Sequence, residues 1–213
     1  MNRYQHVIWD WNGTLLNDAN LCIEVMNSML RDRKMQQIDA QHYREIFDFP
    51  VISYYQALGF DFEKEAFEDL AHSYCDTYDR RVPECYLHEG AVEALDHFSV
   101  RAGKQSILSS CEQGALDEAV RGFGLTERFA SVIGQSDHYA TGKEQAGLEL
   151  MASSGVPAQQ TVLIGDTLHD YEVAQALGID CALVAIGHHS KSRLEAVCEW
   201  VVDSLDEVVA YVA

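Results

Sequence analysis

The chain has 213 residues, 47% of them hydrophobic, and carries 34 Asp and Glu against 15 Lys and Arg for a formal charge of −19. That much apolar material suffices for one core with a small inserted subdomain, while charge of this sign repels nucleic-acid phosphates and anionic membranes. No apolar run approaches the roughly 20 residues that span a bilayer, and residues 1–3 lead into the first strand without a secretory pattern, so a cytosolic address is expected. The six cysteines, at 22, 75, 85, 111, 181 and 198, form neither a CxxC pair nor a zinc-like spacing, which points to reduced thiols.

Residues 4–9, with Val7 and Ile8, read as a buried strand that delivers Asp10 to its carboxyl end, and Asp10-Trp11-Asn12-Gly13-Thr14-Leu15 follows with a glycine turn. Open α/β sheets bind ligands at such strand ends, and a carboxylate there can attack phosphorus. Residues 16–87 have helical spacing in Leu21, Val25 and Met29, in Tyr43, Ile46 and Phe47, and in Phe62, Ala66, Phe67, Leu70 and Tyr74, with Pro50 and Gly59 as breaks and no good strand. This predicts an all-helical cap inserted into an α/β core made of residues 1–15 and 88–213, lying over the strand ends as a lid.

Beyond Gly90, short apolar runs at 104–109, 129–133, 161–165, 180–184 and 200–202 alternate with helical segments. That beat predicts a Rossmann-like parallel sheet with helices on both faces. Four separated features then fall at or near strand ends: Asp10; Ser109 and Ser110; Lys143 in Thr141-Gly142-Lys143 before a helix; and Gly165-Asp166-Thr167-Leu168-His169-Asp170. Phosphoryl transfer depends on positioning and charge compensation, and a carboxylate nucleophile, a hydroxyl, an ammonium and carboxylates for Mg²⁺ supply both. Singly, each feature has an ordinary reading, a turn aspartate or a solvated helix-start lysine; their order carries the inference.

The order and spacing resemble the haloacid dehalogenase superfamily, in its phosphatase branch with a helical cap after the first motif, and cap placement and length resemble the phosphoglycolate phosphatase-like members. The resemblance implies an aspartyl-phosphate at Asp10, phosphoryl binding by Ser109, with Ser110 not separable from it by chemistry, and neutralisation by Lys143. It further implies Mg²⁺ held by Asp10, the backbone carbonyl of Asn12 and Asp166, with Asp170 in support. The implied substrate is a small phosphorylated metabolite; neither nucleic acid nor a membrane is an expected partner, and monomer and homodimer both stay open.

Asn12 departs from the family pattern, which has a second aspartate there as general acid and base; a carboxamide transfers no proton. Slow phosphatase turnover is the expectation, with His169 as a compensating base and deamidation at Asn12-Gly13 as a second route to the missing acid. Phosphonate hydrolysis through a cap lysine, Lys34 or Lys64, is the alternative enzyme reading, and a catalytically weakened phosphate-binding protein the non-enzymatic one. Metal-free dehalogenation is disfavoured by the Asp166 and Asp170 pair. Helical spacing assigns Tyr43, Phe47, Phe49, Tyr54 and Tyr55 to cap packing. Among the cap cations, Arg44 is the candidate for a substrate carboxylate, and His188 and His189 are expected on a free loop at the rim.

Overall fold

The computed structural model describes residues 3–101, 103–135 and 142–212. Six parallel strands form the central sheet: β1 (His6–Trp9), β4 (Lys104–Glu112), β5 (Ser131–Gln135), β6 (Thr161–Gly165), β7 (Asp180–Val184) and β8 (Val201–Val202), in the spatial order β5-β4-β1-β6-β7-β8. The chain runs outward from β1 through β4 to β5, then restarts at β6 on the other side of β1. The direction therefore switches at β1, and the crevice at its carboxyl end is where an open sheet of this kind receives ligands.

All four residues of β1 are buried because the strand is covered on both faces. Val7 and Trp9 point into a core with α5 (Ala91–Arg101) and α10 (Leu205–Val212), and Trp9 packs edge-on against Phe98 at 5.8 Å. Ile8 points the opposite way, into a core with Leu150 of α7 (Lys143–Ser154) and Val173 of α8 (Leu168–Leu177). Complete burial of one such side chain contributes about 1.5–3 kcal/mol, so β1 alone anchors both layers. The remaining core helices are α6 (Gln113–Gly122) and α9 (Lys191–Glu195).

Between β1 and α5 the chain forms α1 (Ala19–Asp32), α2 (Ala40–Ile46), α3 (Val51–Ala57) and α4 (Phe67–Arg81) around a separate apolar cluster that includes Met26, Leu30, Tyr43, Tyr55 and Leu70. Buried Leu21, Cys22, Val25, Met26, Met29 and Leu30 give α1 its inward stripe at 3.6-residue spacing. Pro50 is the N-cap of α3 and Gly59 follows its end, as the breaks in the sequence predict. Two details differ. Phe62 and Ala66 precede α4, and the segment does contain strand: β2 (Leu16–Asn17) pairs antiparallel with β3 (Tyr86–Leu87), a two-residue ribbon at the entrance and exit of the helical unit. Strands that short have no readable period of their own.

A second difference concerns β4, which continues to Glu112 through a register shift after Leu108, so Ser109 and Ser110 lie on an irregular strand extension and not at its end. Among the described residues, no helix is long and apolar enough to cross a membrane. All six cysteines are free thiols.

Candidate active site

The turn after β1 is built by hydrogen bonds that leave Asp10 facing the crevice. Asp10 N donates to Ile164 O at 2.8 Å and thereby continues the pairing with β6, while Leu15 N and Leu16 N both return to Trp11 O. Gly13 takes φ +77°, a left-handed conformation natural to glycine, and a Cβ there would collide with the Asp166 carboxylate and the His188 ring. The turn thus closes directly onto the end of β6.

Asp10, Asp166 and Asp170 are all buried, and their carboxylate oxygens lie within 4.8 Å of one another. Lys143, first residue of α7, enters this cluster: Nζ donates to Asp10 Oδ1 at 2.6 Å and to Asp170 Oδ1 at 2.5 Å. Thr141 lies outside the described residues. Burial drives the Asp10 carboxyl up; the Lys143 ammonium opposes this, Asp170 and Asp166 reinforce it, and the net position is about 8. Asp166 is likewise pushed up to about 6 by burial, with His188 opposing and Asp170 adding. Lys143 loses affinity for its proton through burial but regains more from Asp10 and Asp170, so it stays charged. Three crowded oxygen donors that one ammonium does not fully neutralise suit a hard divalent cation.

Asp170 has a second task. Its Oδ2 accepts from Thr167 N at 3.0 Å and Thr167 Oγ1 at 2.6 Å, while Asp170 N donates back to Thr167 Oγ1, a capping box that opens α8. Asp166 is held by Thr14 Oγ1 at 2.7 Å and by the backbone N–H of His188 at 2.7 Å. Ser109 is buried, and its Oγ accepts from Cys111 N at 3.1 Å; the Ser110 hydroxyl is buried without a partner, and both residues line the cavity above Asp10.

The side chain of Asn12 donates from Nδ2 to Asp18 Oδ2 at 2.9 Å and to the Tyr78 oxygen at 2.7 Å, and Tyr78 O–H donates to the same Asp18 oxygen at 2.7 Å. Asp18 Oδ1 accepts from Gly13 N at 2.9 Å and faces His188 Nε2 at 3.3 Å, while His188 Nδ1 meets Tyr43 Oη at 2.8 Å. Asp18 stands at the N-cap of α1 yet makes no side-chain capping bond, because its carboxylate is turned into this network. Burial raises the Asp18 carboxyl, but the His188 charge and the donated bonds outweigh it and bring it to about 2. Burial lowers the His188 imidazolium, and Asp18, then Asp166 and Asp10, outweigh that and hold it up at about 9. These contacts favour the charged form of His188, which lines the cavity with its Nε2 turned to Asp18. Asp18 and Tyr78 escaped sequence reading because nothing in their local pattern differs from a helix cap and a helix-packing tyrosine.

Other sequence-level candidates land differently. Arg44 does not line the cavity: its Nε donates to Gly187 O at 2.9 Å, tying α2 to the loop after β7. His188 and His189 are buried and bonded, His189 Nδ1 accepting from Leu168 N at 3.0 Å, because Gly187 packs the loop against Asp166 and Gly13. His169 is in the first turn of α8, lines the cavity against Phe49 at 4.9 Å, and its buried Nε2 has no partner; burial, then the Lys143 charge, keeps it neutral. Lys34 and Lys64 are exposed and outside the cavity. The cap aromatics assigned to packing do pack, but Tyr43, Phe47, Phe49, Tyr54 and Tyr55 also line the cavity, since the helices are too few to enclose their apolar faces.

Comparison with known proteins shows the family and the fold. A family model described as haloacid dehalogenase-like hydrolase matches residues 7–184. The chain is 26% identical over 199 residues to a 5'-nucleotidase of Pseudomonas aeruginosa, covering 91% of this chain and 88% of that protein. It is 22% identical to a phosphoglycolate phosphatase of Synechococcus elongatus, covering 96% and 95%. A haloacid dehalogenase-like hydrolase from Streptococcus pneumoniae has the same fold, with a TM-score of 0.84 at 18% identity over the full length of both chains. With its switch-point carboxylates and a family match over most of its length, the chain belongs to the haloacid dehalogenase-like hydrolases.

Proposed function

We propose that this protein is a Mg²⁺-dependent phosphomonoesterase that works through an aspartyl-phosphate on Asp10. The observation that carries the reading is the buried Asp10–Lys143–Asp170 ion-pair chain beside Asp166, at the floor of a covered cavity. Phosphatases among the relatives support a small phosphorylated substrate.

In this reading Asp10, Asp166 and the Asn12 carbonyl would hold the cation, which when bound neutralises charge on the transferring group and on Asp10. Asp170 keeps Lys143 aimed at Asp10, and Lys143 Nζ is placed to pair with a phosphoryl oxygen on the same atom that Asp10 attacks. The Ser110 hydroxyl, unpartnered, donates to another. Asp10 forms a P–O bond as the bond from phosphorus to the ester oxygen breaks, the leaving oxygen taking its proton from solvent; water, giving a proton to His169, then attacks phosphorus and releases phosphate and the Asp10 carboxylate. Asn12 transfers no proton, which removes a contribution typically worth 10²–10⁴-fold. His169, a neutral imidazole on the cavity wall, is the base that remains.

Among the described residues the cavity contains no lysine suited to the phosphonate alternative, since Lys143 is committed to two carboxylates. Deamidation of Asn12 requires attack by Gly13 N, which is held by Asp18.

The test is phosphate release from acetyl phosphate and p-nitrophenyl phosphate with Mg²⁺ and with EDTA. Metal-dependent turnover that vanishes in Asp10→Asn and falls at least tenfold in His169→Ala is expected. Turnover that survives Asp10→Asn rejects the aspartyl nucleophile, and an inert native chain that still binds phosphate with Mg²⁺ moves the binding-protein reading to the front.

A further inference from the structure

The cavity extends from Asp10 and Ser110 up into the helical unit and has a volume of about 540 Å³. That lies within the range of pockets that enclose drug-sized ligands and far exceeds what a phosphorylated two-carbon acid occupies. Its upper wall is aromatic and apolar: Phe47, Phe49, Tyr54, Phe67 and Tyr74, with Met26. Several of these rings already meet edge-on, such as Phe47 with Tyr54 at 5.3 Å, so the wall offers both faces and edges to another ring.

Charge points the same way. Lys143 is the only lysine or arginine among the described residues of the wall, and Asp10 and Asp170 engage it at the floor. Residues 1, 2, 102, 136–141 and 213, outside the described set, include no lysine or arginine. The helical side of the wall instead carries Glu68 and Asp79 of α4, and Glu112 lies on the core side at the end of β4. Arg44, the one cap cation considered for a substrate carboxylate, is turned away to Gly187 O. His188, the other cationic group on the wall, is engaged by Asp18 at 3.3 Å, so a second anionic group on the substrate would meet acidic side chains in a chain of net charge −19, with no uncommitted cation among the described residues to pair it.

From this cavity we propose the substrate class: a phosphomonoester whose leaving alcohol bears an uncharged aromatic ring and no carboxylate, with the ring seated among Phe47, Phe49, Tyr54 and Phe67. The inference rests on the phosphomonoesterase reading above and names the chemistry of its leaving group. It sets this chain apart from an enzyme for 2-phosphoglycolate, whose carboxylate finds no uncommitted counter-charge among the described residues of the wall.

The experiment compares kcat/KM for 2-phenylethyl phosphate, 2-phosphoglycolate and acetyl phosphate with Mg²⁺, in the native protein and in Ile52→Arg, which places a cation on the apolar wall. The two monoesters release alkanols, so reactivity of an aryl leaving group does not enter. The expected result is a native preference for 2-phenylethyl phosphate over 2-phosphoglycolate of at least tenfold, shrinking at least tenfold in Ile52→Arg. Equal or greater kcat/KM for 2-phosphoglycolate, with acetyl phosphate hydrolysed, overturns the substrate class and leaves the phosphomonoesterase standing. Absence of turnover on all three removes the phosphomonoesterase. Calorimetry then decides the class separately: tighter binding of 2-phenylethyl phosphate than of 2-phosphoglycolate to Asp10→Asn supports it, and equal or reversed affinity rejects it.

Discussion

Asn12 illustrates how one substitution is accommodated by its neighbours. Its Nδ2 donates to Asp18 Oδ2 and to the Tyr78 oxygen, and an aspartate there would set two carboxylates face to face with the single Tyr78 hydroxyl hydrogen to share. Asn12 and Asp18 therefore form a matched pair, and restoring the family's aspartate is not a simple gain. In urea denaturation, Asn12→Asp is expected to cost about 1–3 kcal/mol, the range for a buried polar group left without its partner. Asn12→Asp with Asp18→Asn should recover at least half of that loss, because the carboxamide then donates in the opposite direction. Additive losses in the double variant would show that the two side chains are not coupled.

Loop packing at the strand ends fixes the site. The chain after β7 approaches the turn after β1 so closely that a Cβ on Gly187 would strike the Asp166 carboxylate and the Gly13 carbonyl. The constraint at Gly187 is space. Gly187→Ala should displace Asp166, lowering turnover at least tenfold and stability by about 1–3 kcal/mol, as overpacking does. Gly122→Ala in α6 is the control: nothing lies within 4 Å of the added carbon, and helix propensity predicts a gain of about 0.5–1 kcal/mol with activity unchanged. Equal losses in both variants would contradict the account.

Across the whole molecule, buried histidines set part of the acid response. Burial, with a smaller effect of the Lys104 charge, lowers His6 to about 4, where its ring is bonded to Ser106 Oγ at 2.9 Å. The unfolded chain binds a proton at position 6 below about pH 6.5 and the folded chain does not, so the stability from this site is complete above 6.5 and lost as pH falls toward 4. Relative to native protein, His6→Gln should be more destabilised at pH 7.5 than at pH 5, by about 2 kcal/mol for 1.5 pH units at 1.36 kcal/mol each. A deficit independent of pH would show that His6 does not titrate as its burial dictates. Taking the difference between two proteins cancels the carboxylates that respond in the opposite sense.

The sheet was legible because each strand is a short apolar run between helical periods, and burial on both faces of a parallel sheet demands that pattern. The places of Asp10 and Asp166 after β1 and β6 and of Lys143 at the start of α7 were legible as well, since strand ends and helix starts can be read from local pattern, whereas Ser109 lies on the extension of β4 and not at its end. The two-residue ribbon of β2 and β3 was not, being too short to have a period, nor was the irregular extension of β4. What only the tertiary structure decided is how distant side chains share charge and space. Asp18 leaves its helix cap for Asn12, Tyr78 and His188; Arg44 turns from the cavity to Gly187; and the cap aromatics both pack together and wall the cavity. Local sequence sets the period of burial, whereas charge pairing and cavity shape depend on contacts between residues far apart in the chain, such as Asp18 with His188, 170 positions on.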